Sequence, residues 1–148
     1  MDSPAATPPP AIYGQFGQAL AYAERTLHAV LRDHLAERGV EPEAWYALHL
    51  IAIHAPRYAR TDLRRELEGN PYLDSDTTRE LLERLENLGL IRGDSEVELT
   101  ARGNALHSEL RDYISAPTAR LLGQFDLRDI ETTVRTLQKI TELAAVAQ

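Results

Sequence analysis

The chain has 148 residues, 43% of them hydrophobic and 26% charged, which suits one globular domain with a sizeable core and excludes wholesale disorder. It has no cysteine, which removes disulfides, thiolate metal ligands and cysteine nucleophiles together, and its formal net charge is −7. Five arginines meet eleven acids over residues 61–100, so nearly all the acidity lies in that one segment.

Residues 1–10, MDSPAATPPP, form a Pro-rich tail with little to bury and are expected to be disordered or in polyproline II. A helical stripe then runs through Ile12, Phe16, Leu20, Ala23, Leu27, Leu31 and Leu35 at spacings of three and four, and Gly39 is placed to end it. Glu41-Pro42 opens a second helix, with proline at the first helical position. Its apolar content is Trp45, Leu48, Ile51 and Ala52, and Pro56 stops it. A short helix is predicted over Thr61–Glu68, with Thr61 as N-cap and Leu63 and Leu67 facing inward. Gly69-Asn70-Pro71 reads as a turn. Asp74 or Ser75 caps the next helix, which runs to Leu88 and is expected to bury Leu81, Leu82, Leu85 and Leu88 before Gly89 ends it.

The only predicted strands flank Gly93-Asp94-Ser95, with Leu90-Ile91-Arg92 before and Glu96-Val97-Glu98-Leu99 after, as a small hairpin. Thr100 caps a long helix from Ala101 towards Leu122, where Pro117 is expected to kink it. Asp126 caps a last helix whose Leu127, Ile130, Val134, Leu137, Ile140 and Leu143 keep a near-heptad seam. Two helices joined by a turn and followed by a hairpin define a mainly α winged helix-turn-helix head over residues 41–100. The flanking helices, 12–38 and 101–146, carry apolar stripes that a compact head cannot cover. They are expected to pair with each other and with a second copy, through Ile12, Phe16, Ile130, Val134 and Leu137.

Four stretches in this order resemble the MarR family of bacterial regulators across roughly residues 12–145, within one domain spanning 11–148. SDTTRELLERLENLGLI (Ser75–Ile91) is similar to the recognition helix and the Gly-Leu step into the wing, and ELTARGNALHSEL (Glu98–Leu110) to the Leu-Thr-x-x-Gly segment after it. LLGQFDLRDIETTVRTLQKITEL (Leu121–Leu143) resembles the dimerising C-terminal helix, and GVEPEAWYALHLIAIHAP (Gly39–Pro56) the helix before the helix-turn-helix. The resemblance implies a cytoplasmic homodimer that regulates transcription, docks two heads in successive major grooves of duplex DNA, and carries a pocket for a small aromatic effector. The wing tip here is shorter than the family's basic tip, with Arg92 its only nearby cation, and the Gly69–Leu73 turn is longer than a tight connection.

On the reading helix, Arg79 is placed to grip a guanine edge and Ser75 or Thr77 to hold phosphates or bases, with Arg84 and Arg92 as further DNA-facing candidates. The competing reading is an ordinary solvated helix face with a Glu80–Arg84 pair, on a head whose acidity repels phosphate. In that alternative the homodimer does not read DNA. It binds a basic protein partner, mimics DNA to occupy a regulator, or takes a small ligand in the inter-helix cavity.

Tyr13, Tyr22, Trp45, His49 and Tyr113 lie on helices that the resemblance sets around the effector cavity, and they suit core packing equally. His28 and His34, six apart, and His49 and His54, five apart, do not converge on one helix, so no metal or other cofactor is predicted. No phosphate loop, nucleophile elbow or nucleophile–base pair occurs, so no enzyme is predicted. The most apolar stretch, Ala47 to Ala55, is short and broken by His49 and His54, and the N-terminus lacks a basic, apolar leader, so neither a membrane span nor a secretory signal is expected.

Overall fold

The computed structural model describes residues 7–147, which fall into two units, one up to His107 and one from Ser108. Most of the expected tail lies outside the described residues; residues 7–10 carry no regular structure. In the first unit come α1 (Ala11–Ala36), α2 (Pro42–Ile53), β1 (Tyr58–Ala59), α3 (Arg60–Glu68), α4 (Ser75–Asn87), β2 (Ile91–Arg92), β3 (Glu96–Leu99) and the first turns of α5 (Ala101–Leu122). The second unit holds the rest of α5, which continues through Pro117, and α6 (Leu127–Ala147). This is the mainly α winged-helix architecture expected, with three antiparallel strands in the order β1-β3-β2.

The core sits in the head. Leu48 and Ile51 of α2, Leu63 and Leu67 of α3, and Leu81 and Leu85 of α4 are buried against Val97 of β3. Each such side chain stabilises the fold by about 1.5–3 kcal/mol relative to exposure. Burial follows the helical repeat on α3 and α4, whose opposite faces are charged. α1 instead buries only Leu35, and α6 buries nothing, so their stripes remain largely exposed in the single chain.

Three sequence expectations are corrected. Thr61 does not cap α3; the helix begins at Arg60 with Ala59 in the cap position and no side-chain cap. The reason is a strand that local patterning does not reveal. Tyr58 pairs with Val97 and Ala59 with Glu96, and the Arg60 amide donates to the Ser95 carbonyl at 2.9 Å, so the sheet itself fixes where α3 starts. Leu88 is 49% exposed rather than buried. It is the C-cap residue, and Gly89 at φ +73° turns the chain so that Leu90 takes the core position, its amide reaching back to the Leu85 carbonyl at 3.0 Å. The Glu80–Arg84 pair does not form, because Arg84 turns to Glu41 at 2.9 Å.

Two contacts fix the head's geometry. The long α3–α4 turn docks onto α1: the Tyr72 ring stacks on His28 at 3.8 Å and its hydroxyl donates to Glu24 Oε2 at 3.2 Å. At the far side of the wing, Gly103 of α5 passes so close to Leu90 that an added Cβ would lie 2.0 Å from the Leu90 carbonyl oxygen. Thr100 locks that crossing, its amide donating to Leu90 O at 3.0 Å and its hydroxyl accepting from the Gly103 amide at 3.0 Å. Here lies a physical reason for the Leu-Thr-x-x-Gly pattern.

Candidate nucleic-acid interface

The N-terminus of α4 is built by Asp74. Its carboxylate accepts from the Thr77 amide at 2.8 Å while the Thr77 hydroxyl accepts from the Asp74 amide at 2.9 Å, a reciprocal box that satisfies two otherwise orphaned donors. The Thr77 amide, and then its hydroxyl, hold the Asp74 carboxyl below its ordinary 3.8. Ser75, Asp76 and Arg79 are exposed on the turns that follow, and Arg79 lies 3.4 Å from Asp76.

Arg79 lines a groove of about 300 Å³ between α3, α4 and the wing, together with Arg60 and Arg64 of α3. Arg60 straps the wing down. Its Nε donates to the Asp94 carbonyl at 2.6 Å, and its Nη2 donates to the Gly93 carbonyl at 2.7 Å and to Glu86 of α4. Gly93, at φ +111°, is required there, because a Cβ would meet the Glu96 carbonyl oxygen at 2.0 Å.

Of the five DNA-facing candidates, Ser75, Thr77 and Arg79 therefore share the first half of α4, with the Thr77 hydroxyl engaged in the cap. Arg84 lies apart from them, joined to Glu41 beside the α1–α2 turn. Arg92 stands on the hairpin, directly across from Glu98 and 2.8 Å from its carboxylate. Arg60 and Arg64 were missed by sequence reasoning. Their i,i+4 spacing was a usable signal, but a helix read from Thr61 hides it.

The candidate effector residues divide as well. Trp45 and His49 of α2 stack with His107 of α5, with ring centroids 5.1–5.5 Å apart and His49 Nδ1 lying 3.2 Å from His107 Nε2. Tyr13 and Tyr22 are exposed on α1, and the Tyr22 hydroxyl accepts from Gln18 at 3.2 Å. Tyr113 belongs to the second unit. Among the described residues no group of three or more His, Cys, Asp or Glu gathers as metal ligands, and no helix is long and apolar enough to cross a membrane.

No protein-family model matches the chain, and no curated protein matches it in sequence. Solved structures do match in fold. A MarR transcriptional regulator from Methanosarcina mazei superposes with a TM-score of 0.73 at 20% identity, over 92% of this chain and 99% of that one. A Mycobacterium tuberculosis MarR family protein in complex with DNA gives 0.65 at 21% identity, over 94% and 98%. A Mycobacterium tuberculosis MarR family protein in complex with salicylic acid gives 0.66 at 22% identity, over 84% and 96%. The chain thus has the MarR-like winged-helix fold.

Proposed function

We propose that the chain is a homodimeric, DNA-binding transcriptional regulator that responds to a small ligand, with no catalytic role. The observation that carries this reading is the placing of Arg64 and Arg79, with the wing-strapping Arg60, along the groove between the reading helix and the wing, which Glu83, Glu86 and Asp94 also line. Guanidinium groups there meet phosphate and guanine edges as a helix enters the major groove. The similar folds with bound DNA and salicylic acid support the same reading. Dimerisation uses the apolar stripes of α1 and α6, where Ile12, Phe16 and Val134 are exposed in the single chain and Ile130 and Leu137 are half-buried. The small aromatic effector is assigned to the rings of Trp45 and His49, which offer it stacking partners.

One observation favours a second reading, in which an acidic head binds a basic protein instead. Every arginine of residues 61–100 already has an acidic neighbour: Arg64 has Glu68, Arg65 has Asp62, Arg79 has Asp76, Arg84 has Glu41 and Arg92 has Glu98. Exposed pairs of this kind contribute only about 0–1 kcal/mol each, so phosphates displace the acids at little cost. The first reading therefore stands ahead. Selection of bound fragments from the host's genomic DNA, at low and near-physiological salt, tests it. A palindromic motif recovered at both salts and lost in Arg79→Ala is the expected result; nothing recovered, or only salt-sensitive random fragments, transfers the case to the acidic-head reading.

A further inference from the structure

A pocket of about 470 Å³ opens where the α1–α2 turn, the C-terminal half of α4 and the first turns of α5 meet. That volume lies within the roughly 300–1,000 Å³ usual for small-molecule sites. Its apolar lining is aliphatic: Val40, Leu48, Leu85, Leu88, Leu90 and Leu106 contribute, and no aromatic side chain does. Three guanidinium groups, Arg38, Arg84 and Arg102, share the lining with a single carboxylate, Glu41, which Arg84 engages at 2.9 Å. Arg38 has an interaction of its own and Arg84 holds Glu41, which leaves Arg102 as the available cation of an aliphatic cavity in a chain of net charge −7. Arg102 is exposed at its edge and makes no ion pair among the described residues.

Two other grooves of the head lack this combination. The one beside Ser75 offers Arg64, Arg65 and Glu68 but no leucine. The one under the wing sets three arginines against Glu83, Glu86 and Asp94.

We propose that the α1–α2/α4/α5 pocket binds a medium-chain aliphatic monocarboxylate, its alkyl chain on the leucines and its carboxylate on Arg102. Planar guanidinium groups match a carboxylate with paired hydrogen bonds, and the leucine lining rewards a saturated chain over an aromatic ring that would find no stacking partner. The site is separate from the Trp45–His49–His107 stack. It touches α2 through Leu48, α4 through Leu85 and Leu88, and α5 through Leu106, so occupancy sets the C-terminal end of the reading helix against its neighbours. Binding itself does not depend on whether the head reads DNA.

Calorimetric titration of the full chain with octanoate, without DNA, tests the proposal, with octylamine and benzoate as comparators. One saturable octanoate site per chain is expected, with no octylamine binding and weaker benzoate binding. Arg102→Ala weakens octanoate at least tenfold, and Leu88→Glu, which places a negative charge on the pocket wall, abolishes binding. Both positions are exposed, so circular dichroism should report an unchanged fold. Absence of saturable octanoate binding overturns the proposal, as does unchanged affinity in both variants, which would move the acid to the apolar faces of α1 and α6. Benzoate binding more tightly than octanoate overturns the aliphatic assignment.

Discussion

Substituting Gly103 with alanine adds one methyl group where the first turn of α5 crosses the start of the wing. The new Cβ would lie 2.0 Å from the Leu90 carbonyl oxygen and 2.9 Å from its carbon, both backbone atoms, so no side chain can swing away. Reaching ordinary contact at 3.4 Å requires the segments to part by about 1.4 Å, which breaks the 3.0 Å bond from the Thr100 amide to Leu90 O. Overpacking costs about 1–3 kcal/mol and each lost hydrogen bond about 0.5–1.5 kcal/mol. Alanine's better helix propensity returns up to about 1 kcal/mol, leaving a net loss of roughly 0.5–3.5 kcal/mol. For a chain of this size the melting temperature should fall by roughly 1–14 °C. Gly14→Ala is the control: nothing lies within 4 Å of its added Cβ, so the same chemical change on α1 should leave stability equal or raise it by about 0.4–1 kcal/mol. Thermal unfolding followed by circular dichroism reads both. A Gly103→Ala melting temperature equal to or above the parent's would refute the argument that this glycine is required by close approach.

The Asp74 carboxyl titrates below its ordinary 3.8, so its contribution is complete above that pH and is lost as pH falls through the lower folded value. The difference in melting temperature between the parent and Asp74→Ala should therefore be full at neutral pH and shrink below about pH 4; a constant difference would mean that the ionised cap is not the source. Arg60→Met removes the strap on the wing tip and should cost about 1–2 kcal/mol, allowing for partial exposure. Hydrogen exchange should accelerate at Asp94 and Ser95, and unchanged protection there would show that the hairpin holds its own tip. Val134→Arg places a charge on the α6 stripe and should yield a folded monomer by analytical ultracentrifugation; a persistent dimer would relocate the interface.

Elements whose signals are local were legible in the sequence. The 3.6-residue leucine pattern, Pro42 at a first helical position, the Asp74 cap and the Gly93 turn each act within a few residues, and each lies where patterning puts it. What escaped depends on partners far along the chain. Tyr58-Ala59 is a strand only because Val97 and Glu96 lie beside it, and with that strand goes the true start of α3 and the role of Arg60. His107 carries no local signal, yet it completes the stack with Trp45 and with His49, 58 residues earlier in the chain. For the interface, residue type and helix face were readable. Which acid each arginine would meet was not, because Arg84 had a choice between Glu80 on its own helix and Glu41 on another turn.

The strap from Arg60 grips the wing by the carbonyl oxygens of Gly93 and Asp94, not by their side chains. Its geometry is therefore indifferent to what residues 94 and 95 display, while position 93 alone is held to glycine by the nearby Glu96 carbonyl. Such a wing is a mount with an exchangeable tip. A reversal of charge at Asp94 would leave the hairpin where it is and convert its end from repelling a polyanion to attracting one. The acidity of the head is thus a setting that one or two substitutions can change without rebuilding the fold.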